Sequence, residues 1–292
     1  MSAPDTGVQS LRVLVGYDGS PSAVNAIEAA ATLLPTATAS ILNLWEPPFT
    51  SPELRHRIYD RAPNAEALGR LLETEGRAEA ERLARNGVKL ARAAGWDAEP
   101  LVKRTFGGDG YQFARTAEEL DADLMVVGSR GTGGLRASMG SVSELVVHVS
   151  PVPVLVVPHP LTTAEWADAA GGPVIVGTDG SEYAQRALTV ATTLFPHRRR
   201  LLVGVQEKED SPAPTAAEGT ELVTVRCSGR PGKPRATATT LADEAARRRA
   251  AVLVVGSRGR SSTRETLVGH VTRALLHSAH RPVLVVPNRT AG

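Results

Sequence analysis

Cysteine is nearly absent. Cys227 stands alone among 292 residues, so no intrachain disulfide can form, and a reducing compartment suits the chain. Aromatic residues make up only 4%, too few for a stacking platform on single-stranded nucleic acid. Neither sign of charge is in excess. Lys and Arg number 33 against 31 Asp and Glu, and a net charge of +2 is too weak a bias to make nucleic acid or an anionic membrane the main partner. Two local basic runs, Arg198–Arg200 and Arg247–Arg249, read as solvated faces. No stretch approaches the roughly 18 apolar residues that span a bilayer, and Met1 to Ser10 lacks the basic-then-apolar pattern of a signal peptide. The expectation is a cytoplasmic protein with neither membrane nor nucleic acid as partner. Also missing are a Walker loop, a Gly-x-Gly-x-x-Gly fingerprint, a His-Glu-x-x-His helix and a Gly-x-Ser-x-Gly elbow. With no paired carboxylates or Ser/His/Asp set at a recognisable spacing, no catalytic residue is assigned and a dedicated enzyme is not expected.

What the chain does have is a repeat. VLVGYDGS at Val13–Ser20 returns as VIVGTDGS at Val174–Ser181, an offset of 161. LMVVGSRG at Leu124–Gly131 returns in LVVGSRG at Leu253–Gly259, with Gly128 matching Gly256 at an offset of 128. PVLVVP at Pro153–Pro158 returns unchanged at Pro282–Pro287, at an offset of 129. The fall from 161 to 128 makes the second copy 33 residues shorter between its first two blocks. The missing piece corresponds to Glu66–Ala94, whose Leu68, Leu71, Leu72, Leu83 and Leu90 among many charges predict an amphipathic helix. Copy two has a loop-like Ser211–Gly219 there instead. The domains are therefore set at 10–158 and 173–288, the second shortened, with 159–172 as a Pro-, Thr-, Ala- and Gly-containing linker.

Strand and helix patterns alternate within each copy. In copy one, strands are expected at Leu11–Gly16, Ser40–Trp45, Glu99–Arg104, Leu124–Gly128 and Val152–Val157. Between them, Ser22–Leu34, Tyr111–Leu120 and Ser141–Val149 read as helices. Nearly continuous apolar strands separated by helices predict an α/β fold, a five-stranded, mostly parallel sheet per copy with helices on both faces. Ligands of such sheets bind beyond the carboxyl ends of the strands, where strand order reverses.

The chemistry-bearing segment is Gly128-Ser129-Arg130-Gly131, followed by Gly133, Gly134 and then Gly140-Ser141-Val142-Ser143. A buried strand ends in a glycine-rich turn, and a helix then opens. Glycine lets main-chain N–H groups converge. The first amides of a helix lack internal partners and sit at the positive end of its dipole, so together they form a phosphate site that needs no lysine. A tight connection in which glycine merely relieves strain would read the same way. Asp18 and Asp179 follow the first strand of each copy. Asp-Gly-Ser there is also good turn and N-cap chemistry.

These motifs, from Asp18-Gly19-Ser20 to the closing VLVVP, resemble those of the universal stress proteins over nearly all of copy one. The chain as a whole resembles a tandem member with two Rossmann-like, adenine nucleotide alpha hydrolase-like domains. ATP-binding members carry Gly-x-x-Gly, nine residues, then Gly-Ser or Gly-Thr. The resemblance implies Asp18 beside ribose and phosphates, the loop and helix start of 128–143 around the phosphates, and a main-chain position at Leu44 on the adenine. Gly16 is expected beside the nucleotide. In copy two the equivalents are Gly177, Asp179, Val205, Gly256, Ser257, Arg258, Gly259, Gly269, His270 and Val271. Copy one departs by having eight residues, Thr132–Met139, between Gly131 and Gly140; copy two departs by having His270 in place of Ser or Thr. Outside the motif, His270, His277 and His280 lack a completing carboxylate or cysteine, so no metal site is assigned.

Three readings stand. One is an ATP-binding stress or signalling module, with or without Mg²⁺, in which any hydrolysis is slow and incidental. The second is a nucleotide-free interaction scaffold, and the third a nucleotide hydrolase or adenylyl-transfer enzyme. The closing strands Val154–Val157 and Val283–Val286 are expected to pair within the chain as a built-in pseudo-dimer, with a homodimer of whole chains also compatible.

Overall fold

The computed structural model describes residues 10–46, 52–129, 140–206, 221–228, 232–259 and 268–288. In copy one, β1 (Arg12–Gly16) leads to α1 (Pro21–Leu33) and β2 (Thr38–Trp45). Then come α2 (Pro52–Arg61), α3 (Ala65–Ala93), β3 (Asp97–Arg104), α4 (Asp109–Glu119), β4 (Leu124–Gly128), α5 (Ser141–Val149) and β5 (Val154–Val157). Helix α6 (Thr163–Gly171) joins the copies. Copy two continues with β6 (Val174–Thr178), α7 (Glu182–Leu194), β7 (Arg200–Gln206), β8 (Glu221–Arg226), α8 (Pro234–Arg247), β9 (Val252–Gly256), α9 (His270–Ser278) and β10 (Val283–Val286).

The ten strands among the described residues form one sheet in the order β3-β2-β1-β4-β5-β10-β9-β6-β7-β8. Pairing is parallel within each copy. It is antiparallel only at the junction, where Leu284 faces Leu155 and Val283 faces Val156. The expected pairing of the two closing strands is thus present. It fuses the two five-stranded sheets, so copy two's carboxyl edge lies on the opposite margin from copy one's.

Strands β4, β5, β9 and β10 are buried along their whole lengths, as expected of apolar runs covered on both faces. One core layer joins α1, α7 and the inward side chains Val13, Val15, Val126, Val176 and Val254. The other joins Leu14, Phe113, Met125, Val146, Ile175, Leu241, Leu253 and Leu275.

The 29-residue α3, which the leucine spacing predicts, covers β2 and β3. Copy two passes from β7 to β8 through residues 207–220, which lie outside the described residues and are too few for such a helix. Two elements differ from expectation. Helix α2 has no strong apolar stripe; its Ile58 is buried with Trp45 and Ala80 in a small satellite cluster. The segment taken as a linker holds α6, begun by a reciprocal capping box between Thr162 and Glu165. Helix α6 packs on α1 of copy one and fastens to copy two through Asp168, 5% exposed, which bridges Arg281 at 2.8 Å and Arg249 at 2.9 Å. Burial pushes the Asp168 carboxyl up, but hydrogen bonds and charge from Arg281 and Arg249 outweigh it and hold it below the ordinary aspartate range.

Candidate functional site

Strand order reverses between β1 and β4 in copy one, and between β6 and β9 in copy two. The carboxyl ends of those strands carry the expected residues. After β1, Gly19 takes φ +81 and the chain turns sharply. Asp18 Oδ1 accepts the Ser20 amide at 2.9 Å, and Ser20 Oγ then accepts the Ala23 amide at 3.2 Å. Copy two repeats this. Gly180 takes φ +76, Asp179 Oδ1 accepts Ser181 N at 3.0 Å, and Ser181 Oγ accepts Ala184 N at 3.3 Å. The N-caps of α1 and α7 are therefore the serines. The aspartates brace the turn from outside the helix, Asp18 exposed and Asp179 half-buried. Beside Asp18, burial and then the neighbouring carboxylate push the Tyr17 phenol up from its ordinary value.

Helices α5 and α9 start differently. Their N-caps are Gly140 (φ −64, ψ 145) and Gly269 (φ −67, ψ 155), which offer no side-chain oxygen. Gly140 N donates to Ser129 O at 2.8 Å, and Gly269 N to Ser257 O at 2.7 Å. The first helical bonds are Glu144 N to Gly140 O and Arg273 N to Gly269 O, both 3.0 Å. The amides left without helical partners are those of Ser141, Val142 and Ser143, and of His270, Val271 and Thr272. Ser141, Val142 and His270 are exposed, and Val271 is half-buried. At each copy's carboxyl edge, one helix is sealed by serine and one begins on bare amides at the switch point. That arrangement can hold an anion.

Several expected site residues serve the scaffold. An added Cβ at Gly128 would lie 2.7 Å from Ser22 O and 2.4 Å from Ser22 Oγ; at Gly256 it would lie 2.9 Å from Tyr183 O. These two glycines let α1 and α7 approach β4 and β9. The reason for Gly16 is also corrected: a Cβ there would meet the Phe113 ring at 2.7 Å, so a core aromatic, not a ligand, takes that space. Gly177 is likewise enclosed, with a Cβ 3.2 Å from Val255 and 3.5 Å from Leu241. Ser129 and Ser257 are buried, and their amides donate to Val157 O at 2.8 Å and Val286 O at 2.7 Å. The Ser143 hydroxyl donates to Gly128 O at 2.7 Å. Thr272, which sequence reasoning passed over, does the same to Gly256 O at 2.9 Å. The spacing of 129 between Ser143 and Thr272 marks only their neighbourhood; the pairing with the strand end needed the coordinates.

Leu44 and Val205 sit where main-chain groups open toward the site. Leu42 O accepts Tyr17 N at 2.9 Å, which fixes that side of β2 toward β1. By the two-residue alternation of a strand, Leu44 faces the same way, beyond the last β1 partner pair Gly16–Leu42. Val205 stands likewise two residues beyond Val203, the partner of Gly177. In copy two, a Cβ on Gly259 would lie 2.6 Å from Asp179 Oδ2, so the turn after β9 reaches the aspartate after β6. Arg258 beside it is half-buried, and among the described residues its Nε has no hydrogen-bond partner. Arg130, Gly131, Gly133 and Gly134 lie outside the described residues. Among those described, no helix is long and apolar enough to cross a membrane.

The family model described as "Universal stress protein family" matches residues 10–158 and 197–287. The chain belongs to this family. Universal stress protein Rv2005c of Mycobacterium tuberculosis is 29% identical over 303 residues, covering 94% of this chain and 96% of the relative. A universal stress protein structure from Archaeoglobus fulgidus superposes with a TM-score of 0.65 at 21% identity, covering 97% of this chain and all of the other, which supports the tandem fold. A universal stress protein solved in complex with cAMP matches 51% of this chain at 25% identity, with a TM-score of 0.36. As a universal stress protein, the chain has, among its described residues, five strands in each copy, with α2 and α3 present in copy one alone.

Proposed function

We propose that the protein binds an adenine nucleotide, ATP with or without Mg²⁺, at the carboxyl edge of one or both copies and acts as a stress-response signalling module, not as an enzyme. The observation that carries this reading is the contrast between the two helix starts at each of those edges. Ser20 and Ser181 seal α1 and α7, while Gly140 and Gly269 leave α5 and α9 open at the strand-order switch. The polyphosphate would lie on the amides of 141–143 or 270–272, with Asp18 or Asp179 at the ribose side and the main chain of Leu44 or Val205 toward the base. Nucleotide that favours one arrangement of the loop after β4 or β9 would shift its population, which is how such a module reports energy status.

Native mass spectrometry of the purified chain, followed by calorimetric titration with ATP, tests this. Bound adenine nucleotide, or saturable ATP binding weakened by Asp18→Ala or Asp179→Ala, supports it. Absence of both at millimolar ATP leaves the nucleotide-free scaffold.

A further inference from the structure

The two arginine runs that read as solvated faces meet in space. Arg198, Arg199 and Arg248, with His197, Gly172 and Pro173, wall an open cavity of about 620 Å³ at the amino ends of the copy-two strands. That volume falls within the range of small-molecule sites. The charges there do not cancel. Arg199 pairs with Glu221 at 2.6 Å. The buried Glu244 is shared by Arg247 at 2.6 Å and Arg248 at 2.5 Å, and Asp168 is shared by Arg249 and Arg281. Arg198 and Arg200 have only carbonyl partners among the described residues. Arg198 donates to Gly172 O at 3.1 Å, and Arg200 donates to the carbonyls of Phe195, Pro196 and Arg198. Seven arginines thus meet three carboxylates in a chain whose net charge is +2. Burial holds the Arg198 guanidinium below the ordinary arginine value, as expected of a desolvated cation without an opposing charge.

Copy one is an internal control for whether the fold needs these arginines. At the offset of 161, Thr36, Ala37 and Thr38 stand where copy two has His197, Arg198 and Arg199. At the offset of 128, Leu120 and Asp121 stand where it has Arg248 and Arg249. The turn is the same, since Asp121 and Arg249 both hold positive φ, at 45 and 55. Helix C-termini attract cations, yet α1 and α4 end in the same positions with no basic residue in the last turn. At the copy-one end the same backbone is built with a single arginine, Arg12, set between Asp121 and Asp123, so neither the turn nor the helix dipole demands the arginine cluster.

We propose that this cavity is a second ligand site, for a small oxyanion of phosphate type, held by the forked donors of Arg198 and Arg248. Arginine offers planar paired N–H groups that match phosphate oxygens. The site is separate from the nucleotide edge of copy two, which lies at the other ends of the same strands.

The test uses the full chain and pyrophosphate. Arginine Nε–Hε resonances of the wild type are followed by NMR, and affinity is measured by calorimetry against Arg198→Ala/Arg248→Leu, which installs the copy-one residues. The expected result is movement of the Arg198 and Arg248 resonances and at least tenfold weaker binding in the variant. Inorganic phosphate and glucose 6-phosphate distinguish the source: tighter binding of the sugar phosphate assigns a carried phosphate, and equal binding a free one. Unchanged pyrophosphate affinity in a folded variant overturns the proposal. So do wild-type shifts confined to the amides of 141–143 and 270–272, a readout that stands even if the double variant does not fold.

Discussion

Proline at position 141 separates a main-chain anion site from a side-chain one. The first helical position tolerates proline, whose missing N–H has no helical partner to lose. Gly140 already sits at φ −64 and ψ 145, the extended region that a residue before proline adopts. Ser141→Pro should therefore leave α5 standing while deleting one of its three unpartnered amides. A hydrogen bond to a charged group contributes about 1.5–3 kcal/mol, and about 1.4 kcal/mol is a factor of ten, so ATP affinity in copy one should fall roughly 10- to 150-fold. His270→Pro makes the same change in copy two, where Gly269 has φ −67 and ψ 155. Ser141→Ala controls for the hydroxyl and should cost far less than proline. Calorimetric titration of the single and double variants, with circular dichroism confirming the helices, reads the result. If the double proline variant folds and still binds ATP as tightly as the wild type, the bare amides of α5 and α9 do not hold the phosphates and the site is misplaced.

Gly128→Ala should lower stability by about 1–3 kcal/mol in chemical denaturation, because its Cβ would lie 2.7 Å from the Ser22 carbonyl; any loss of nucleotide affinity should follow the displacement of α1. Ser143→Ala and Thr272→Val should each cost about 1 kcal/mol by the same measurement, from losing the bonds to Gly128 O and Gly256 O, with ATP affinity little changed. Asp168→Asn should destabilise by about 3 kcal/mol, since it leaves the buried end of Arg281 uncompensated. The Asp168 carboxyl is held below its unfolded value, so its contribution is full above the ordinary aspartate pKa and is lost as pH falls through the lower folded value. Acid unfolding followed by circular dichroism should show this loss in the wild type, and Asp168→Asn should lack that component.

The strands, the repeat and the junction were legible because period and composition report burial directly. VLVV is buried at every position in both copies, and the paired ends follow from two identical apolar edges. The polar α2 gave no period to read. Helix α6 was hidden by weighing the Pro and Gly around it above its Thr162–Glu165 capping box, whose spacing was present in the sequence all along. At the site, the sequence located Asp18, Gly140 and their copies but not what each contributes. Glycine at 16, 128 or 256 looks alike on the page, whereas the direction of the missing Cβ, toward Phe113, Ser22 or Tyr183, decides whether a ligand or the protein itself needs the room. Likewise, the side-chain oxygens of Ser143 and Thr272 turn to strand carbonyls, a choice of rotamer that no spacing encodes.

The antiparallel seam between β5 and β10 lies inside one polypeptide. In an assembly of identical subunits every substitution appears twice, and a surface must tolerate its own reflection. Here each half mutates alone, and dilution cannot part them. One half can shed a 29-residue helix or trade Asp121 for an arginine at the matching turn without imposing the change on its neighbour, which leaves the duplicated architecture free to serve two different clients.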